Sequence, residues 1–145
     1  MSGTAKSESG RQVLGILGGM GPEATAEFFR NVVDATPAAK DQDHFQILVN
    51  CDPSIPDRTD NILGRGPDPL PALLVAGRVL ASAGATVGAI PCMTAHYWLE
   101  ALRASLPFPF LSAFEELGRR IRSEYPRVKR DRKSTRLNSS HGKLS

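Results

Sequence analysis

Short apolar runs alternate with helical stretches along the chain, and this alternation limits the fold more than any other feature of the sequence. Residues 13–17 (VLGIL) read as a buried strand. GGMGP follows, with Pro22 well placed in the first turn of a helix. Residues 23–34 carry Phe28, Phe29, Val32 and Val33 at helical spacing. A second strand is expected over 45–49 (FQILV), then a long loop over 50–68 rich in Pro, Asp, Gly and Arg. Residues 70–83 form a helix of Leu, Val and Ala that ends at Gly84. A third strand is expected over 86–90, a short helix over 97–106 stopped by Pro107, and a fourth strand over 108–111. Residues 113–124 form a helix with Phe114, Leu117 and Ile121 on one face, and Val128 begins a fifth strand. Strands alternating with helices imply βαβ units, hence an α/β fold with a mainly parallel, Rossmann-like sheet flanked by helices.

Composition narrows the class. With 41% hydrophobic and 23% charged residues the chain is an ordinary globular protein, and 145 residues fit one domain. Residues 1–10 are small and polar, are expected to be a disordered N-terminus, and lack the apolar segment of a secretory signal, so the cytoplasm is the expected compartment. There two cysteines stay free thiols. No apolar run is long enough to span a membrane. A formal charge of +3 points towards an acidic partner, but residues 131–145 hold four basic side chains against Asp131 alone and account for all of it. The remaining 130 residues are neutral, which leaves no nucleic-acid footprint. Within that tail, DRKSTRLNSSH resembles a common short-read sequencing adapter translated in frame. Residues 131–145 are therefore expected to be non-native, and residues 11–130 to be part of a longer protein.

In an open parallel sheet, ligands bind beyond the carboxyl ends of the strands. Three stretches are expected there: GGMGP after the first strand, NCDPSIPDRT after the second, and PCMTAH after the third. The glycines of GILGGMG depart from the G-x-G-x-x-G form, and no acidic residue follows at the spacing a ribose contact needs. The turn suits a small anion better than a dinucleotide; close strand–helix packing would require the same glycines. Arg58 can hold two carboxylate oxygens with its planar fork, or pair with its neighbour Asp57 in solvent. Cys92 is either a small buried hydrophobe or, lying after a strand and before a helix, a thiol placed to react. His96 could assist it, cap the helix or pack. Cys51, at a similar height after the second strand, reads as a packing residue ahead of a second reactive thiol. The three histidines lack the spacing of a metal site.

Together LGGMGPEAT, NCDPSIPDRT and IPCMTAHYW resemble the aspartate/glutamate racemase family in order and spacing. The resemblance covers about residues 13–130. It implies two similar α/β lobes, of which this chain holds the first, with a site in the cleft between them. It implies racemisation of an acidic amino acid with neither pyridoxal phosphate nor metal, by two cysteines facing opposite sides of the α-carbon. By this resemblance Cys92 is the first catalytic cysteine. Arg58 and Thr59 belong to the substrate-binding loop, Met93, Thr94 and Ala95 hold the substrate carboxylate, and Met20 lines the pocket. Met93 stands where the family commonly has Asn, and a thioether cannot donate a hydrogen bond as an amide does. Cys51 is not the partner thiol, because two groups on one row of strand ends cannot flank a carbon. The second cysteine belongs to the other lobe, so this chain alone is expected to be inactive. A second copy is the one macromolecular partner left open, since a dimer could bring a thiol across the cleft. Hydantoin or maleate isomerases of the same fold and a dinucleotide-binding module are the competing readings.

Overall fold

The computed structural model describes residues 10–126. Three parallel strands form its sheet in the order β2-β1-β3. The central strand, β1 (Val13–Gly18), pairs with β2 (Gln46–Cys51) from Val13↔Gln46 to Gly18↔Cys51. On its other side it pairs with β3 (Val87–Ala89) from Leu14↔Val87 to Ile16↔Ala89. A central strand is covered on both faces, which is why its run is apolar rather than alternating, and Ile16 and Leu17 are fully buried. The helices are α1 (Pro22–Ala35), α2 (Arg58–Ile62), α3 (Leu70–Ser82), α4 (Leu99–Ser105) and α5 (Ala113–Glu124). A 3₁₀ turn over Thr94–Trp98 runs directly into α4, and another covers Asp41–Asp43.

The core lies between the sheet and the α3–α4 pair. Leu73, Ala76 and Leu80 project from α3 at helical spacing and are buried with Leu17, Trp98, Leu99, Leu102, Leu106, Phe108 and Phe110. A side chain at Gly77 would overlap Leu106, so this glycine lets the segment after α4 lie close on α3. Full burial of a residue such as Leu73 or Leu102 stabilises the fold by about 1.5–3 kcal/mol.

Several elements differ from expectation for physical reasons. The fourth strand over 108–111 is reduced to one bridge, Gly88↔Phe110. Gly88 N–H donates to Pro109 O and Leu111 N–H to Gly88 O, each at 2.8 Å. Pro107 and Pro109 have no N–H to extend the ladder. The loop over 50–68 contains α2, whose N-cap Asp57 accepts from Asp60 N–H at 2.8 Å. The helix expected to begin at residue 97 starts with the 3₁₀ turn. Helix α1 buries only Thr25, leaving Phe29 and Val33 of its apolar stripe exposed. The fifth strand at Val128 and the tail over 131–145 lie outside the described residues.

The chain divides after Leu111 into two compact units. The second contains α5, found at its expected bounds. Ser112 caps it by accepting from Glu115 N–H at 3.2 Å, and the ion pairs Arg119–Glu116 and Arg120–Glu124 line its polar side. Among the described residues no helix is long and apolar enough to cross a membrane.

Candidate active site

Because β1, β2 and β3 run parallel, the segments after them leave from one edge of the sheet. The first two are joined through backbone. Asp52 N–H donates to Gly18 O at 3.1 Å. Gly19 has φ +101°, and a Cβ there would overlap the Asp52 backbone. Only glycine tolerates both conditions. A Cβ on Gly18 would likewise overlap Thr25. Both close approaches are thus filled by the chain itself, which accounts for the glycines without a dinucleotide.

Thr25 closes this turn. Its hydroxyl, nearly all buried, accepts from Gly19 N–H at 2.9 Å and donates to Gly21 O at 3.0 Å. The two bonds bracket Met20, whose side chain turns into the core. Met20 lies in the buried cluster that includes Ile55, Ala95 and Trp98, with Cys92 packed against it. One residue or more from each of the three segments therefore meets in a single apolar cluster.

The second segment is held by its own side chains. Ser54 Oγ and N–H both donate to Asp52 Oδ1, at 2.6 and 2.9 Å. These bonds, the hydroxyl's first, hold the exposed Asp52 carboxyl below its usual range. Asp57 is engaged as the cap of α2, and Asp60 pairs with Arg65 at 3.3 Å. The solvated Arg58–Asp57 pair weighed from the sequence is not formed. Arg58 instead turns Nη1 onto the carbonyls of Ile55 and Pro56, each at 3.2 Å, while its buried Nε has no partner. The guanidinium is fixed by one end, and the Nε side of its fork is left with a donor to satisfy. Thr59 is exposed in the same short helix, which lies against the 3₁₀ turn.

In the third segment, Cys92 N–H donates to Ile90 O at 2.8 Å across Pro91. The Cys92 carbonyl accepts from Nδ1 of His96 at 2.9 Å. Cys92 is half-buried, Ala95 is fully buried, and Met93 and Thr94 are exposed, Met93 at 53%. Cys51 is exposed, against the packing role expected of it. Of the predicted residues, Met20, Ala95 and Cys92 share one cluster, Arg58 and Thr59 sit on the adjoining helix, and Met93 and Thr94 stand at the surface beside Cys92. Thr25 is a residue the sequence did not single out, signalled only by following a glycine turn; His96, weighed as an assistant to Cys92, bonds its carbonyl.

A profile of the Asp/Glu/hydantoin racemase family matches residues 17–129. The chain belongs to the Asp/Glu/hydantoin racemase family. The broad-specificity amino-acid racemase RacX of Bacillus subtilis is 31% identical over 114 residues, which are 75% of this chain and 49% of RacX. The aspartate racemase of Picrophilus torridus superposes with a TM-score of 0.64 at 34% identity, over 70% of this chain and 43% of that one. An aspartate racemase homologue from Pyrococcus horikoshii shares the fold, with a TM-score of 0.64 at 16% identity, over 79% of this chain and 50% of its own. The chain thus spans about half the length of these racemases. Family membership confirms the resemblance read from LGGMGPEAT, NCDPSIPDRT and IPCMTAHYW, and the α/β fold with its parallel sheet.

Proposed function

We propose that residues 11–130 are the first lobe of a cofactor-independent amino-acid racemase, with Cys92 as the acid–base group on one face of the substrate α-carbon. The observation that carries this reading is the fixed guanidinium of Arg58, on the helix that adjoins the turn after Cys92. It has one edge held by loop carbonyls and a buried, unpartnered Nε on the other. A carboxylate pairs through charge-assisted bonds with the donors that such a guanidinium leaves over. The neutral ring of a hydantoin does not, which favours the amino-acid branch of the family. The similarity to an aspartate racemase and to a broad-specificity amino-acid racemase supports the same branch.

The reaction needs one proton removed from the α-carbon on one side and one returned on the other. In one direction the Cys92 thiolate takes the proton, and a second thiol, from the lobe this chain does not span, delivers another to the opposite face. In reverse the roles exchange. Arg58 neutralises a substrate carboxylate, and Thr94 with the backbone beside it offers neutral donors to the other end. Thr59 and Met93 border the same space, and Met93 makes that border less polar than an amide would. The substrate class is an acidic amino acid or a close analogue, with no added cofactor.

The test is chiral chromatography of L- and D-aspartate incubated with the full-length protein and with its Arg58→Gln variant. Each enantiomer should convert to the racemate, and the variant should lose about two orders of magnitude in kcat/KM, as loss of a charge-assisted bidentate contact at about 3 kcal/mol requires. Unchanged kcat/KM in the variant would remove Arg58 from the site.

A further inference from the structure

We propose that His96 is the positioning residue of the Cys92 thiol, a role whose catalytic meaning rests on the reading of Cys92 given above. Both backbone polar groups of Cys92 are engaged locally. Its N–H is held by Ile90 O at 2.8 Å, and its carbonyl by His96 Nδ1 at 2.9 Å. Pro91, between Ile90 and Cys92, has its φ fixed by its ring. The direction of the Cys92 Cα–Cβ bond, and so the line along which sulfur meets a ligand, is set by these restraints. Of the two hydrogen bonds, only that from His96 comes from a side chain.

The bond also fixes which ring nitrogen donates here. A carbonyl oxygen only accepts, so Nδ1 must carry a proton to make this contact. The residue that carries the ring is in turn anchored through its backbone. His96 N–H donates to Met93 O at 3.1 Å, and Ala95 before it and Trp98 two residues after it are buried. Core packing of the 3₁₀ turn is thereby transmitted through one ring to the cysteine four residues earlier. This spacing is what lets a single turn of chain bring the ring of residue 96 back over the carbonyl of residue 92.

The test uses the full chain with Cys51→Ser, which leaves Cys92 as the single thiol. Alkylation by iodoacetamide is followed by intact mass for this parent and for His96→Leu and His96→Asn. Asparagine can place an amide N–H where the imidazole Nδ1–H stands, whereas leucine fills similar volume without a donor. Loss of one hydrogen bond should loosen the turn and speed alkylation about fivefold in His96→Leu, with the parent rate restored in His96→Asn. Nitrogen-15 spectra of the parent should show the Nδ1–H tautomer at His96, a result that does not depend on any variant folding. Equal rates for all three proteins, failure of asparagine to restore the rate, or an Nε2–H tautomer would overturn the proposal. Because the thiol itself is read, failure here leaves the racemase reading standing. Absence of racemisation in the full-length protein would equally leave the positioning role untouched.

Discussion

Replacing Thr25 by valine removes the hydroxyl that closes the glycine turn while keeping the shape of the side chain. Two bonds are lost, but they are not equivalent. Gly21 O still accepts from the backbone N–H of residue 25 at 3.1 Å, so it keeps a partner. Gly19 N–H loses its acceptor in a buried setting, and an orphaned buried donor costs about 1–3 kcal/mol. The expected loss for Thr25→Val is therefore about 2 kcal/mol, or roughly 10 °C in melting temperature for a unit of this size. Thr25→Ser keeps the acceptor and deletes one buried methyl, which costs about 1 kcal/mol. Urea unfolding of both variants gives the free energies, and hydrogen exchange at Gly19 reports the turn directly. Valine should be worse than serine, and Gly19 N–H should lose protection only in the valine variant. Equal stability of Thr25→Val and the parent within about 0.5 kcal/mol, or the reverse order, would refute the latch.

Gly19→Ala should be more damaging than Thr25→Val, because it adds a left-handed penalty of about 1–2 kcal/mol to an overlap with Asp52 backbone that no side-chain movement relieves; unfolding midpoints compare the two. Ser54→Ala removes the main bond holding the Asp52 carboxyl low, so its titration midpoint, followed by carbon-13 NMR, should rise towards the ordinary value of about 3.9. Since the folded value is depressed, the carboxylate's contribution to stability is present above the unfolded value and lost as pH falls through the folded one; the variant should lose the hydroxyl's share of that acid dependence and keep the share of the backbone N–H of residue 54. Deleting residues 131–145 should leave the melting temperature unchanged, as the reading of that segment as non-native requires; a clear drop would refute that reading.

The periodic elements were the most legible part of the fold. The burial demands of β1 and α3 leave few alternatives to their runs of Val, Ile, Leu and Ala. The bounds of α5 follow from Ser112 as a cap and an unbroken amphipathic stripe. What could not be read was set by tertiary context. Pro109 still supplies a carbonyl to Gly88, so the last segment makes a bridge although its prolines forbid a full strand. Helix α2 is a single turn nucleated by the Asp57 cap inside a stretch whose prolines and glycines read as loop. At the site, residue chemistry was legible but pairing was not. Asp57 stands next to Arg58 in sequence, yet its oxygen is engaged by Asp60 N–H, and Arg58 folds back onto carbonyls instead. Cys51 ends an apolar run, but it lies on an edge strand and faces solvent.

The central claim, that Cys92 exchanges a proton with the α-carbon from one face, is tested most directly by solvent deuterium. The full-length protein and its Cys92→Ala variant are incubated with each enantiomer of aspartate in D₂O without cofactor, and loss of the α-proton signal is followed by NMR together with the chirality of the product. The account predicts deuterium in the inverted product of the parent, loss of that exchange in at least one direction for Cys92→Ala, and none above background for the 145-residue chain alone. Exchange at the parent rate in both directions by Cys92→Ala would contradict it.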